Sequence, residues 1–314
     1  MTRILPRKPS SFSRWPVVLA ALAALLAPLV ALANPEHPTQ WQLNLTRGVS
    51  GLSHDVWDLH MAVLWVCVGI GVVVYGVLVY SLFKFRKSKG AQADTKFTHH
   101  TVLEVVWTTI PVLILIGLAY PATRLLIYEN NTTGSQLTIK VTGIQWMWRY
   151  DYLSCLGQPI QKVGFVSKLA ESSNVVRQMD STTSPWSVKD KHGWDDYLLN
   201  VDHELVVPTH TKIQFVITAA DVIHGFWVPA LGLQADAVPG QIHDAWGKFD
   251  KPGTYRGQCA QLCGQDHAYM PIVIKAVPRA QFQQWLADQE NKARMEQISR
   301  TAQLVPTGAF VPQG

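Results

Sequence analysis

Long uncharged apolar stretches fill the N-terminal part of this chain, and short β-branched runs broken by turn residues fill the remainder. The first stretch, residues 15–33, follows a leader carrying Arg3, Arg7, Lys8 and Arg14 and closes on Ala31, Leu32 and Ala33. A basic leader, an apolar middle and an A-x-A end predict a cleaved secretory signal over 1–33, with a retained helix as the alternative. The second stretch, 61–83, holds 23 uncharged residues, and the third is uncharged over 105–123. Each meets the requirement of about 20 residues for crossing a bilayer, so spans are expected at about 61–83 and 105–127. Pro111 and Pro121 would damage a helix in water but are tolerated in a membrane helix. Trp57, Trp65 and Trp107 lie near the ends, where aromatic belts form.

From about residue 135 the period shortens to that of strands. Residues 137–141, 197–201, 204–207, 212–217, 253–256 and 270–275 are predicted strands, punctuated by Pro208, Pro239-Gly240 and Pro252-Gly253. Several short strands at this spacing predict a β-sandwich or barrel. Residues 154–194 form an irregular insertion, and 280–300 have an amphipathic, helical pattern before a Pro- and Gly-containing tail. The expected organisation is therefore a signal at 1–33, an N-terminal segment and membrane hairpin at 34–128, an external domain at 129–285, and a helix end with a loose tail at 286–314.

Composition narrows the function. The chain has 314 residues, 48% of them hydrophobic and only 16% charged, which excludes a disordered chain. Its net charge of +5 suggests nucleic acid until the charges are placed. Five basic residues (Lys84, Arg86, Lys87, Lys89, Lys96) and one acid, Asp94, occupy the loop between the spans. From Glu129 onward there are 16 basic and 17 acidic residues, a balance of −1. The basicity is thus a topology signal. It puts the loop in the cytoplasm and both ends of the mature chain outside, with the large C-terminal domain external.

Of four cysteines, Cys67 falls in a span as a packing residue and Cys155 stands alone in the insertion. Cys259, Cys263, His267 and Met270 follow one another as C-x3-C-G-x2-H-x2-M, with His224 further upstream. A disulfide would suit the compartment but leaves the histidines and methionine unexplained. A Cys2His2 zinc site leaves Met270 idle. Thiolate with thioether selects copper, and a single blue-copper ion needs only one cysteine. Two thiolates on one short loop can bridge two coppers, each ion taking one histidine, with Met270 completing one and the carbonyl of Gln261 the other.

These motifs resemble subunit II of cytochrome c oxidase, of bacterial type, which implies a bacterial inner membrane with the external domain on its periplasmic side. The likeness runs from about residue 51 to about 285. It also takes in Leu103-Glu104 through Pro111, the aromatic run from Gln145 through Trp146 and Trp148 to Tyr150, and the turn from Asp236 to Gly240. The insertion at 154–194 matches no motif. The resemblance implies a cupredoxin-like Greek-key barrel on a two-helix hairpin. It also implies a dinuclear copper centre, CuA, that takes electrons from cytochrome c and passes them to haem in subunit I, where oxygen is reduced and protons are pumped. It implies that Trp146 is the point of electron entry, that Asp151, Asp202 and Asp221 belong to the docking surface for cytochrome c, and that Glu104 marks the mouth of a proton channel. Alternation would put Trp146 and Trp148 on one strand face, so periodicity does not separate them.

One position departs from the family. Relatives commonly carry Glu where this chain has Gln261, and that carboxylate reaches an interfacial magnesium or manganese, so this cation site is in doubt here. No C-x-x-C-H occurs, so no haem is expected on this chain. A quinol oxidase subunit would lack the five copper-ligand side chains, and a nitrous oxide reductase would lack the hairpin. A membrane copper-delivery protein is the alternative function; it would need neither Trp146 nor Glu104.

Overall fold

The computed structural model describes residues 37–38, 42–92, 95, 98–178, 181–189 and 196–304. The expected signal at 1–33 and the tail beyond Leu304 lie outside the described residues. Two helices, α1 (Gly51–Lys84) and α2 (Thr101–Glu129), are long and apolar enough to cross a membrane. Their side chains are exposed almost throughout, as a pair of helices surrounded by lipid requires. Each extends several residues beyond the uncharged stretch that predicts it. Ser50 caps α1 in a reciprocal capping box with Ser53. His100 caps α2, its Nδ1 accepting from the Leu103 N–H while Glu104 Oε1 accepts from the His100 N–H. Pro111 and Pro121 both lie inside α2.

The external domain is two packed β-sheets. One runs in the order β3-β2-β1-β6-β9, with β4 also on β2, and the other β5-β11-β10-β7-β8. The strands are β1 (Leu137–Ile144), β2 (Met147–Cys155), β3 (Gln158–Pro159), β4 (Gly164–Ser167), β5 (Leu205–Pro208), β6 (Ile213–Ala219), β7 (His224–Val228), β8 (Leu233–Ala237), β9 (His243–Gly247), β10 (Gly253–Cys259) and β11 (Pro271–Val277). Pairs β1–β6 and β5–β11 are parallel, which forces long connections; the other pairs are antiparallel. Alternation decides which face is buried. Leu137, Ile139 and Val141 of β1 and Ile213, Phe215 and Ile217 of β6 are fully buried, while their neighbours in sequence are more open. Between the sheets Phe226 meets Trp148 edge-on at 5.3 Å and Phe215 at 5.8 Å. The final helix, α4 (Arg279–Leu304), lays Trp285 against Tyr152 at 5.2 Å.

Two expectations change. Residues 197–201 turn instead of running as a strand, because Leu198 takes a left-handed φ of 62° with its N–H on Ser173 Oγ. Val201 alone keeps a bridge, to Leu169. The insertion is also more ordered than its composition suggests. It contains β3, β4 and a short helix, α3 (Glu171–Val176).

A soft-donor cluster at one end of the sandwich

The metal-type residues come from strand ends that the sheets bring together. His224 opens β7, Cys259 closes β10, and Cys259 lies opposite Phe226 in the β10–β7 register. The loop 260–270 then leads to Met270, the residue before β11. Side-chain donor atoms of His224, Cys259 and Cys263, all buried, lie within 4.8 Å of one another. Both thiols are free, with sulfurs 3.9 Å apart. His267 Nδ1 and Met270 Sδ each lie 3.5 Å from Cys263 Sγ. The Gln261 carbonyl lies 3.3 Å from Cys259 Sγ, and its side chain is exposed. The fold therefore gathers all six expected groups at one place, including the Met270 that a zinc site would leave unused.

Neighbouring groups orient these donors. Asp221 Oδ1 lies 2.9 Å from His224 Nε2, and a carboxylate can only accept, so the ring proton sits on Nε2 and the Nδ1 lone pair faces Cys259, 4.0 Å away. The same carboxylate accepts from the N–H groups of Gln145 and Val222. Burial pushes the Asp221 carboxyl upward, but these hydrogen bonds outweigh it and hold the group below its ordinary value. Burial likewise opposes charge on His224, yet Cys259 and Asp221 raise its pKa. The two thiols titrate as a pair. Cys259 is opposed by burial, but contacts to His224 and to the backbone of Gly225 and Gln261 lower it to about 7. Cys263 is raised, by burial first and then by the charge of Cys259. A cation between them removes that conflict, and imidazole, thiolate and thioether together are a soft donor set suited to copper.

Small residues make the cluster possible. A Cβ on Gly143 would stand 2.7 Å from the His224 ring, and one on Gly225 would stand 2.9 Å from the Gln261 N. Trp148 is fully buried, packs on His224 at 5.9 Å and donates its indole N–H to the Met270 carbonyl at 3.3 Å. Trp146, by contrast, is not on a strand. β1 ends at Ile144 and β2 begins at Met147, so Trp146 is the second residue of a two-residue turn. There it is half-buried and donates to the Cys263 carbonyl at 3.2 Å, beside a 2.9 Å bond from Gln145 Nε2 to the same oxygen. In the sequence Gln145 and Trp148 stand only as members of the aromatic run, with no role of their own; the structure sets both against the cluster.

The expected acids are all engaged. Asp151 takes a two-bond fork from Arg149 at 2.9 Å. Asp202 accepts from the Lys168 N–H and lies 3.2 Å from His203. Asp221 turns inward onto His224. Glu104 lies on α2, away from the cluster.

A β-sandwich with a buried cluster of soft donor side chains, carried on a membrane hairpin, defines a membrane-anchored protein of the cupredoxin-like class. Residues 137–277 match the family "Cytochrome C oxidase subunit II, periplasmic domain" and residues 38–125 match its transmembrane domain. The chain is 32% identical to a probable cytochrome c oxidase subunit 2 of Rickettsia prowazekii, covering 93% of this chain and 85% of that one. It is 34% identical to the corresponding protein of Rickettsia conorii, over 87% and 80% of the two chains. The periplasmic domain of cytochrome oxidase subunit II from Bradyrhizobium japonicum matches at 36% identity over 52% of this chain and 99% of that one, with a TM-score of 0.41. The chain belongs to the cytochrome c oxidase subunit II family. It is thus a component of a terminal oxidase, with two membrane-spanning helices and a periplasmic domain, in a copper-containing family.

Proposed function

We propose that this chain is the electron-entry subunit of its oxidase, receiving electrons from cytochrome c at a dinuclear copper centre and delivering them to haem in subunit I for oxygen reduction coupled to proton pumping. The observation that carries this reading is the hydrogen bond from Trp146 Nε1 to the Cys263 carbonyl at 3.2 Å. It joins a partly exposed aromatic ring directly to the backbone of one of the two cluster cysteines. His224, Cys259, Cys263, His267 and Met270 would hold the metal through side chains, and Gln261 through its carbonyl. When bound there, a copper pair would supply one-electron chemistry. A copper-delivery protein would have no use for a fixed aromatic contact of this kind.

Asp151, Asp202 and Asp221 are proposed to supply negative potential to the cytochrome c docking surface, where charge acts on encounter more than on affinity. Asp221 has a second task in holding His224. Glu104 is proposed as the proton-channel mouth, and its bond to the His100 N–H fixes it at the cytoplasmic start of α2.

The test is reduction of the assembled oxidase by cytochrome c, followed by stopped flow. Trp146→Phe keeps an aromatic ring but removes the N–H, and electron transfer is expected to fall by roughly tenfold or more while docking changes little. Charge removal at Asp151 or Asp202 should instead weaken the salt dependence of the on-rate. An unchanged rate in Trp146→Phe would refute the entry role.

A further inference from the structure

The insertion has no counterpart among the motifs that carry the family resemblance, and it reaches the metal loop. Its two limbs are pinned at the base by Lys168 and Asp202. The Lys168 N–H donates to Asp202 Oδ1 at 2.9 Å, and the Asp202 N–H donates to the Lys168 carbonyl at 3.0 Å. Just beyond the insertion, Asp196 is anchored to Arg256 of β10, a buried ion pair at 2.8 Å. Between these anchors, Arg177 is the C-cap of α3. The Arg177 Nε–H donates to Asn174 Oδ1 at 2.9 Å, which turns the guanidinium toward the metal loop. There Nη1 lies 3.6 Å from Asp266 Oδ1, and the guanidinium carbon sits 4.6 Å from the centre of the Tyr269 ring.

Those two contacts fall on the residues immediately before His267 and Met270. The first half of the loop is held by the sandwich itself. The Ala260 N–H bonds to the Gly225 carbonyl, and Gln145 and Trp146 hold the Cys263 carbonyl. The second half makes local turns, His267 N–H to the Gly264 carbonyl and Tyr269 N–H to the Asp266 carbonyl. Arg177 grips this half from outside, by charge on one residue and by its flat face on the other.

We propose that Arg177 is a positioning residue for the metal centre, and that the insertion is the strap that delivers it. The claim rests on the copper reading of the loop. Arg177 also neutralises Asp266, the acid adjacent to His267. Removing Arg177 therefore has two effects: the loop loses its outer hold, and an uncompensated negative charge appears beside the site.

The experiment uses the full chain in its oxidase complex, with Arg177→Ala, Arg177→Lys and Asp266→Asn. The midpoint potential of the copper centre is measured in the complex, and amide exchange at 264–269 in the metal-free full chain. Arg177→Ala is expected to shift the reduction equilibrium toward the oxidised metal by roughly three- to tenfold, and Asp266→Asn the opposite way. Loop exchange in Arg177→Ala should quicken by roughly tenfold, the loss of about 1.4 kcal/mol of local protection. Arg177→Lys should recover most of the potential but not the exchange protection, because an ammonium lacks the planar face. A merely structural role would move neither the potential nor its sign between variants. Full copper loading with an unshifted potential in Arg177→Ala overturns the proposal, as does unchanged loop exchange. Fewer than two coppers in the unmodified chain would overturn the metal reading instead, and the exchange measurement would still decide whether the strap holds the loop.

Discussion

The indole N–H of Trp246 donates to the carbonyl of Tyr128 at 3.1 Å, joining β9 to the last turn of the second membrane helix. The two rings also meet edge-on at 5.3 Å. Lys212 Nζ lies over the Trp246 ring at 4.3 Å and donates to the carbonyls of Asn131 and Thr133. Carbonyls at and just beyond a helix end, which lack intrahelical partners, are thus satisfied by the β-domain. Trp246→Ala should cost about 3 kcal/mol. In the detergent-solubilised full chain, limited proteolysis across 130–136 should then accelerate while copper loading stays intact. Unchanged cleavage would show that the clamp does not hold the two parts together.

Asp221 fixes the tautomer and direction of His224. Asp221→Asn keeps an oxygen for part of the network but weakens the acceptor, and copper affinity should fall by about 10- to 100-fold. Competition with a chelator measures this. An affinity within about twofold of the unmodified chain would show that burial alone orients the ring.

The thiols predict a pH dependence. Cys259 titrates near 7 in the folded, metal-free chain, below the ordinary thiol value. A depressed acid adds stability above its unfolded pKa and loses it as pH falls through the folded one. Copper uptake needs thiolate, so its rate should climb as pH rises through about 7. Cys263 acts in the opposite sense, being raised, and gives up its proton when metal binds. A flat uptake rate between pH 5.5 and 8 would contradict a thiolate-limited step.

The exposed Gln261 side chain leaves the copper-side carbonyl in place but offers no charge to a hard cation. Cells grown on manganese should yield an oxidase with a weak or missing manganese resonance, restored by Gln261→Glu, with copper unchanged in both. A full signal in the unmodified complex would mean that other residues suffice.

Glu104 both caps α2 and marks the proposed proton entrance. Glu104→Ala should lower turnover several-fold while leaving reduction by cytochrome c untouched; normal turnover in a fully assembled complex would leave the acid its capping role alone.

The hairpin is legible in sequence because nothing soluble tolerates 23 consecutive uncharged residues so rich in Val, Leu and Ile. The metal cluster is legible because four of its side-chain donors fall within twelve consecutive positions, 259–270. β7, β8 and β9 escape the strand pattern because each is five residues long and carries His, Gly, Asp or Gln among its apolar positions. The turn at Gln145 and Trp146 contains neither Gly nor Pro, so alternation appears to run straight through it. Asp202 has the look of a solvated loop acid, and its bond to Lys168 spans 34 positions that local patterning cannot connect. Arg177 is invisible for the same reason, since its partners come after the whole of the next six strands, β5 to β10.

The placement of the ligand loop between β10 and β11, the last two strands, orders events during biogenesis. No nascent chain can hold the metal until everything up to Met270 has emerged on the far side of the membrane, and until β11 has found β5 across the intervening strands. Before that moment Cys259 and Cys263 are ordinary solvent-accessible thiols in an oxidising space, open to pairing with each other or with a stray partner. On the proposed metal reading, a filled site would therefore report that translocation and sheet closure are both complete.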